Sequence, residues 1–247
     1  MHACSPAVLQ VGEAFPDPEV DVEILVFDVN ETLLDVRALD RSFEEVFGDA
    51  SSRREWFEML LQLAFTATLS GAYRDFTALA KSALAMLGAK RGVSIADEKA
   101  GELLEGIKNL PPHPDVAPAL EMLCDAGFTL TALTQSPAKT LEAQMVNSGL
   151  ARYFDRLFSV DEVKRYKPDP APYRMVASAM GCDIGQTRLI AAHAWDVEGA
   201  MRAGCKAAFV ARQGQVLDPQ ADPPTIIGAD LGEVAVEILG CAGAIKV

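Results

Sequence analysis

Asp28 closes the run Ile24-Leu25-Val26-Phe27, a short apolar stretch rich in β-branched residues. Such a run reads as a buried strand of a parallel sheet. A carboxylate at its carboxyl end sits where open α/β sheets place their ligands. Three further polar clusters have similar placements: Thr134-Gln135 after a second apolar run, Lys167 on a loop before a helix, and His193 to Asp196 after a third run. One acid, one hydroxyl, one ammonium and a second acid on one rim make a nucleophile with a supporting shell. Asp28 could attack an electrophilic centre and form a covalent ester. Lys167 could orient that carboxylate, and Asp196 could hold Lys167 in turn. Thr32 and Thr134 could donate hydrogen bonds to Asp28, and Asp196 or His193 could activate the water that cleaves the ester. The plainer readings are a turn aspartate at a strand end, an exposed lysine before Pro168 and a strand-end histidine.

The elements that must deliver these groups follow from periodicity. Helical spacing runs over 38–48, 53–69, 72–87 and 95–107, without a convincing strand, until Pro111, Pro112 and Pro114 end it. Residues 39–112 are therefore expected to form a helical cap inserted into an α/β domain made of 22–38 and 113–240. After the prolines, strands are expected at 128–133, 157–160, 187–192, 207–210 and 225–228. Helices are expected at 116–126, 139–147, 171–180, 197–203 and 231–239. This alternation implies a doubly wound, parallel, Rossmann-like sheet. Residues 1–21 read as a loose leader with no basic segment of a secretory signal.

A chain of 247 residues, half of them hydrophobic, can bury a sizeable core. No run approaches the ~18 apolar residues of a membrane span. A net charge of −13, from 22 basic and 35 acidic residues, argues against nucleic acid and anionic membranes as partners. Five widely spaced cysteines form neither a zinc pattern nor a disulfide framework and suit a reducing cytoplasm.

The strings DVNETLLD, LTALTQSP, KRYKPDPAPY and LIAAHAWDVEGAMRAG, in that order, resemble the haloacid dehalogenase superfamily, and within it the L-2-haloacid dehalogenase (type II) branch. The resemblance covers residues 22 to about 220. It implies Asp28 as nucleophile, supported by Thr32, Thr134, Lys167 and Asp196. It places Tyr173 in the same pocket and gives Trp195 and Gln135 to the halide cradle. Phosphatases of the superfamily carry a second aspartate where this chain has Asn30, and an acidic magnesium ligand where it has Ala192. Mg²⁺ needs several oxygen ligands in near-octahedral order, so the resemblance implies chemistry at carbon with no metal and no cofactor.

The chain also departs from the dehalogenase branch. That branch has an aromatic residue at Asn30, glycine at Glu31, serine at Ala191 and asparagine at His193. A cap arginine that grips the substrate carboxylate is replaced by Phe57, and Arg53 and Arg54 are expected to point to other faces of their helix. The expected substrate-binding set is thus Asn30, Gln135, Tyr173, His193, Trp195 and Phe57. The function implied is metal-independent hydrolysis of a small 2-halo carboxylic acid through an aspartyl ester, and a homodimer is compatible with it. A magnesium-dependent phosphatase of the same superfamily and a non-catalytic ligand-binding relative are the alternatives.

Overall fold

The structure is a computed structural model and describes residues 23–243. The expected leader, most of it before Glu23, lies outside the described residues. Six parallel strands form one sheet in the order β3-β2-β1-β4-β5-β6. They are β1 (Ile24–Phe27), β2 (Thr129–Thr134), β3 (Arg156–Ser159), β4 (Thr187–Ala191), β5 (Lys206–Val210) and β6 (Ile226–Gly228). β1 is fully buried and pairs with β2 on one side and β4 on the other. Its ILVF sequence fits that place, since a strand covered on both faces needs no polar alternation. The chain builds outward from β1 to β3, then returns to the far side of β1 at β4. The strand order therefore reverses between β1 and β4, the kind of crevice where doubly wound sheets bind ligands.

Four of the five helices between β1 and β2 are α1 (Asp40–Phe47), α2 (Ser52–Ser70), α3 (Phe76–Arg91) and α4 (Asp97–Glu105). Trp56 of α2 is buried, donates its indole N–H to Ala80 O of α3 at 3.0 Å and packs on Phe43 of α1. The later helices are α5 (Val116–Asp125), α6 (Ala138–Asn147), α7 (Pro170–Met180), α8 (Ala194–Ala203) and α9 (Leu231–Cys241).

Several boundaries shift by a residue or more from the sequence expectation, and three have a clear cause or bear on the site. α3 starts at Phe76 rather than at 72, because the Asp75 side chain caps it by accepting from Ala78 N at 2.9 Å. β3 ends at Ser159, and Val160 enters a 3-10 turn. α8 begins at Ala194 rather than at 197, so Trp195 and Asp196 lie in its first turn, not on a loop before it.

Gly199 lets α8 approach the Lys167 loop. A Cβ there would stand 2.4 Å from Pro168 Cβ and 2.9 Å from the Tyr173 hydroxyl. The four described cysteines outside the masked ends are free thiols. Among the described residues, no helix is long and apolar enough to cross a membrane.

Candidate active site

Asp28 follows β1 directly and donates its backbone N–H to Ile190 O of β4 at 3.0 Å. Its carboxylate is therefore fixed at the crevice between the two central strands. Thr32 donates to Asp28 Oδ2 at 2.6 Å, and the Thr32 hydroxyl accepts from Ala192 N at 2.9 Å. Lys167 Nζ donates to Asp28 Oδ1 at 2.7 Å, to Asp196 Oδ2 at 2.6 Å and to Leu133 O at 3.2 Å. Its three protons thus meet three acceptors, which is what a fully buried ammonium requires. The remaining Asp196 oxygen accepts from the Tyr173 hydroxyl at 2.6 Å.

The electrostatics follow from these contacts. Burial pushes Asp28 up, but Lys167 and His193 outweigh it and hold this carboxyl well below the usual range. Asp196 is raised, because burial and the charge of Asp28 oppose its ionisation more than Lys167 favours it. Burial pushes Lys167 down, yet its two carboxylates hold it above the ordinary lysine value. The site is therefore an ionised carboxylate whose counter-ion is itself anchored by a second acid.

His193, the residue before α8, closes the other side. Its Nε2 stands 2.7 Å from Glu31 Oε2, and its Nδ1 faces Asp28 Oδ2 at 3.4 Å without a directed hydrogen bond. The ring lies between Trp195, at 5.1 Å and 26°, and Phe57, at 6.3 Å and 27°. Burial pushes His193 down, and Asp28 and Glu31 together pull it up to about 9. Glu31 holds φ at 67°, a left-handed conformation uncommon for a side-chain-bearing residue. Beyond His193, a cleft of about 390 Å³ opens between α2 and the sheet. Phe57, Leu61 and Phe65 of α2 form its apolar side, facing His193 and Trp195.

Of the residues singled out in the sequence, the structure brings together Asp28, Thr32, Lys167, Asp196, Tyr173, His193, Trp195 and Phe57. Three do something else. The Thr134 hydroxyl does not donate to Asp28; it accepts from Ser136 N at 3.1 Å within its own turn. Gln135 spends both ends of its amide on the main chain of Lys167, donating to Lys167 O at 3.1 Å and accepting from Lys167 N at 3.0 Å. It holds the lysine loop rather than presenting its amide to a ligand. Asn30 accepts from Gln144 Nε2 at 2.9 Å and faces Ser136 Oγ at 3.4 Å. Arg53 corrects the expectation about its face. Four residues before Phe57, it lies one turn away on the same side of α2, is buried, and reaches Glu31 at 3.5 Å and Asp40 at 2.8 Å.

Sequence reasoning missed four supports. Glu31 stood out only as a departure from the family pattern. Arg212 donates to Thr32 O at 2.9 Å while paired through one nitrogen with both oxygens of Asp115 at 2.8 Å. Tyr166 N donates to Thr68 Oγ1 at 2.9 Å, and Arg165 donates to Thr68 O at 2.7 Å. These last contacts fasten the lysine loop to the end of α2.

No group of three or more His, Cys, Asp or Glu side chains among the described residues is arranged to hold a metal ion. At the position of the superfamily's magnesium ligand, Ala192 offers only a methyl group and is fully buried.

A haloacid dehalogenase-like hydrolase family model matches residues 22–204. The chain is 34% identical over 193 residues to an (S)-2-haloacid dehalogenase of Burkholderia cepacia, covering 76% of this chain and 83% of that protein. It is 29% identical over 218 residues to an (S)-2-haloacid dehalogenase of Pseudomonas putida, covering 87% and 96%. In fold it is similar to the L-2-haloacid dehalogenase of Xanthobacter autotrophicus, with a TM-score of 0.83, 24% identity and coverage of 89% and 99%. The chain belongs to the haloacid dehalogenase-like hydrolases.

Proposed function

We propose that this protein hydrolyses the carbon–halogen bond of a small 2-halo carboxylic acid, giving a 2-hydroxy acid through an aspartyl ester on Asp28. The observation that carries this reading is the state of Asp28. It is ionised and nearly dry, and it is braced by Lys167 and Thr32, with Asn30 and Ala192 where phosphoryl chemistry would put an acid and a metal ligand. The relatives of Burkholderia and Pseudomonas, named as (S)-2-haloacid dehalogenases, agree with it. In the first step a lone pair of Asp28 attacks the carbon in line with the departing halide, and the halide leaves with the bonding electrons. A carboxylate is a weak nucleophile in water, so position and desolvation supply much of the rate. Water then attacks the ester at Asp28 Cγ, releasing the hydroxy acid and restoring the carboxylate.

Residues 39–112 act as the cap in this reading, with α2 drying the cleft above His193. Lys167 and Asp196 orient the nucleophile, Tyr173 completes the shell of Asp196, and Gln135 fixes the loop that carries Lys167. The apolar wall of Phe57, Leu61 and Phe65 receives the alkyl part of the substrate, beside Trp195. The test is halide release from a panel of 2-halo acids, with and without EDTA. Release that survives chelation is the expected result. No release from any member, or a rate that returns only with Mg²⁺ and is matched by phosphate release from phosphate esters, would favour the phosphatase reading.

A further inference from the structure

The reaction proposed above brings one carbon to Asp28, yet the cleft beyond His193 is larger than that step needs. Its volume is about 390 Å³, room for on the order of ten waters. Asp28 itself is nearly dry, at 4% exposure. The carbon under attack, with its halogen and carboxylate, must therefore sit at the inner end, beside Asp28. The cleft is left to the remaining substituent of that carbon.

The wall that meets this substituent is apolar. Phe57, Leu61 and Phe65 recur every four residues of α2 and share one face, so their wall runs about 12 Å along the helix. Leu61 and Phe65 are large and apolar but only half-buried. Aromatic rings follow the same path. Phe57 lies 6.3 Å from His193, His193 lies 5.1 Å from Trp195, and Trp195 meets Phe65 edge to face at 5.2 Å. At the lip, Gly214 carries no side chain and has no room for one. Its φ is 86°, and a Cβ there would stand 3.1 Å from Arg54 Nη2.

The charges of the lining are already answered. Glu31 meets Arg53 at 3.5 Å and His193 at 2.7 Å, Arg53 also meets Asp40 at 2.8 Å, and Arg54 meets Glu58 at 3.7 Å. Among the described lining residues, no unpaired charge is left to hold a charged tail. A three-carbon acid would cover only the inner end of the wall and leave Leu61 and Phe65 against water. A flat ring would cover both and expel water near the reacting carboxylate. Aromatic walls suit such a ring, which stacks or meets them edge to face. Binding energy from this remote group can then be spent on rate at the reacting carbon.

We infer that the substrate is a 2-halo acid bearing an arylalkyl group, of the type of 2-chloro-3-phenylpropionate, and that Leu61 and Phe65 of α2 are its specificity-determining residues. The inference rests on the dehalogenation proposed above and names the substrate class of that same site. The phenyl ring lies along α2, between Phe65 and Trp195 on one side and Phe57 on the other, while its C2 reaches Asp28 past His193.

The experiment compares halide release from 2-chloropropionate and 2-chloro-3-phenylpropionate by the wild-type protein and by Leu61→Trp. Calorimetric titration with the halogen-free acids propionate and 3-phenylpropionate accompanies it. The wild type should favour the phenyl acid by about 10- to 100-fold in kcat/KM, the worth of burying a phenylalanine-sized side chain. It should bind 3-phenylpropionate more tightly than propionate by a similar factor. In Leu61→Trp an indole occupies the place of the ring, and the ratio of kcat/KM for the two acids should fall by about tenfold or more. An unchanged ratio in that variant overturns the assignment of the wall. If circular dichroism shows Leu61→Trp to be unfolded, Leu61→Ser takes its place, with a fall in the same ratio expected and an unchanged ratio again refuting the assignment. Equal or better use of 2-chloropropionate by the wild type overturns the substrate class. If neither acid loses halide, the dehalogenation reading itself fails, which is a distinct result. Calorimetry then decides the cleft alone, and equal binding of the two halogen-free acids refutes the ring subsite.

Discussion

Replacing Lys167 by methionine tests whether the centre of the site is built as an ion trio. The ammonium is fully buried and bonded to two carboxylates, at 2.7 and 2.6 Å, whose side chains are 6% and 0% exposed. Methionine fills much of the same volume but leaves Asp28 and Asp196 facing each other across an apolar gap. Breaking a buried pair by removing one partner costs about 3–5 kcal/mol, because an uncompensated charge stays behind. At about 2–4 °C per kcal/mol for a chain of this size, Tm should fall by roughly 6–20 °C. The pH dependence has a definite sign. With the ammonium gone, burial raises Asp196 further above its unfolded value of about 4, while Asp28 keeps only His193 to hold it down. A group raised in this way contributes stability that is complete below its unfolded pKa and is lost as pH rises through the folded one. In the wild type Asp28 is depressed instead, so its contribution is present above about pH 4 and is lost only as pH falls through the depressed value. The variant should therefore lie closest to the wild type near pH 4 and fall away toward pH 8 in urea denaturation. The double variant Lys167→Met with Asp196→Asn should recover part of the loss at pH 8. A loss below about 1 kcal/mol that does not vary with pH would show that the trio is not the structural centre of the site.

Asp28→Asn should abolish halide release while leaving the circular dichroism unchanged; a large retained fraction, with deamidation excluded by mass, would remove Asp28 as the nucleophile. A single turnover in heavy-oxygen water should label the Asp28 peptide and leave the product unlabelled, because water enters at the carboxyl carbon; label in the first product would refute the ester. Phe57→Arg should tighten binding of 2-chloropropionate by about tenfold or more, since a guanidinium at the cleft wall supplies a bidentate partner for the substrate carboxylate and each 1.4 kcal/mol is tenfold. Unchanged apparent KM in that variant would mean that His193 or Arg53 already serves the carboxylate.

Sheet topology made the first half of the site legible. Asp28, Thr134 and His193 each follow or end an apolar run, and a parallel sheet carries all such ends to one rim. That argument needs no side-chain detail, and it located Asp28, Lys167 and Asp196 in contact across 139 and 29 residues of sequence. What it could not supply is the direction of a side chain within a turn. Thr134 and Gln135 stand on the rim as expected, but one hydroxyl rotates to a local amide and one amide reaches the lysine backbone. Short polar groups in turns compete for nearby main-chain donors, and that competition is settled only by the folded loop. The Arg53 contact was open to sequence reasoning, because a spacing of four from Phe57 puts both residues on one helix face.

The remaining contacts were hidden by sequence distance. Tyr166 and Arg165, just before Lys167, bond to Thr68 nearly a hundred residues earlier, and the Tyr166 hydroxyl donates to Arg74 O beyond the same helix. Tyr166 is fully buried and packs against Tyr73 and Phe76, so this junction is apolar as well as hydrogen-bonded. α2 therefore enters the site twice. Its first half lays Arg53 and Phe57 against Glu31 and His193, and its end holds the loop from which Lys167 reaches Asp28. Spacing in α2 puts Arg53 and Phe57 on one face, but what that face meets depends on where the sheet sits beneath it, and nothing in the helix signals the contact at its end. The helix that covers Asp28 thus also fixes the cation paired with it, so displacing α2 would open the cleft and loosen the ammonium at the same time.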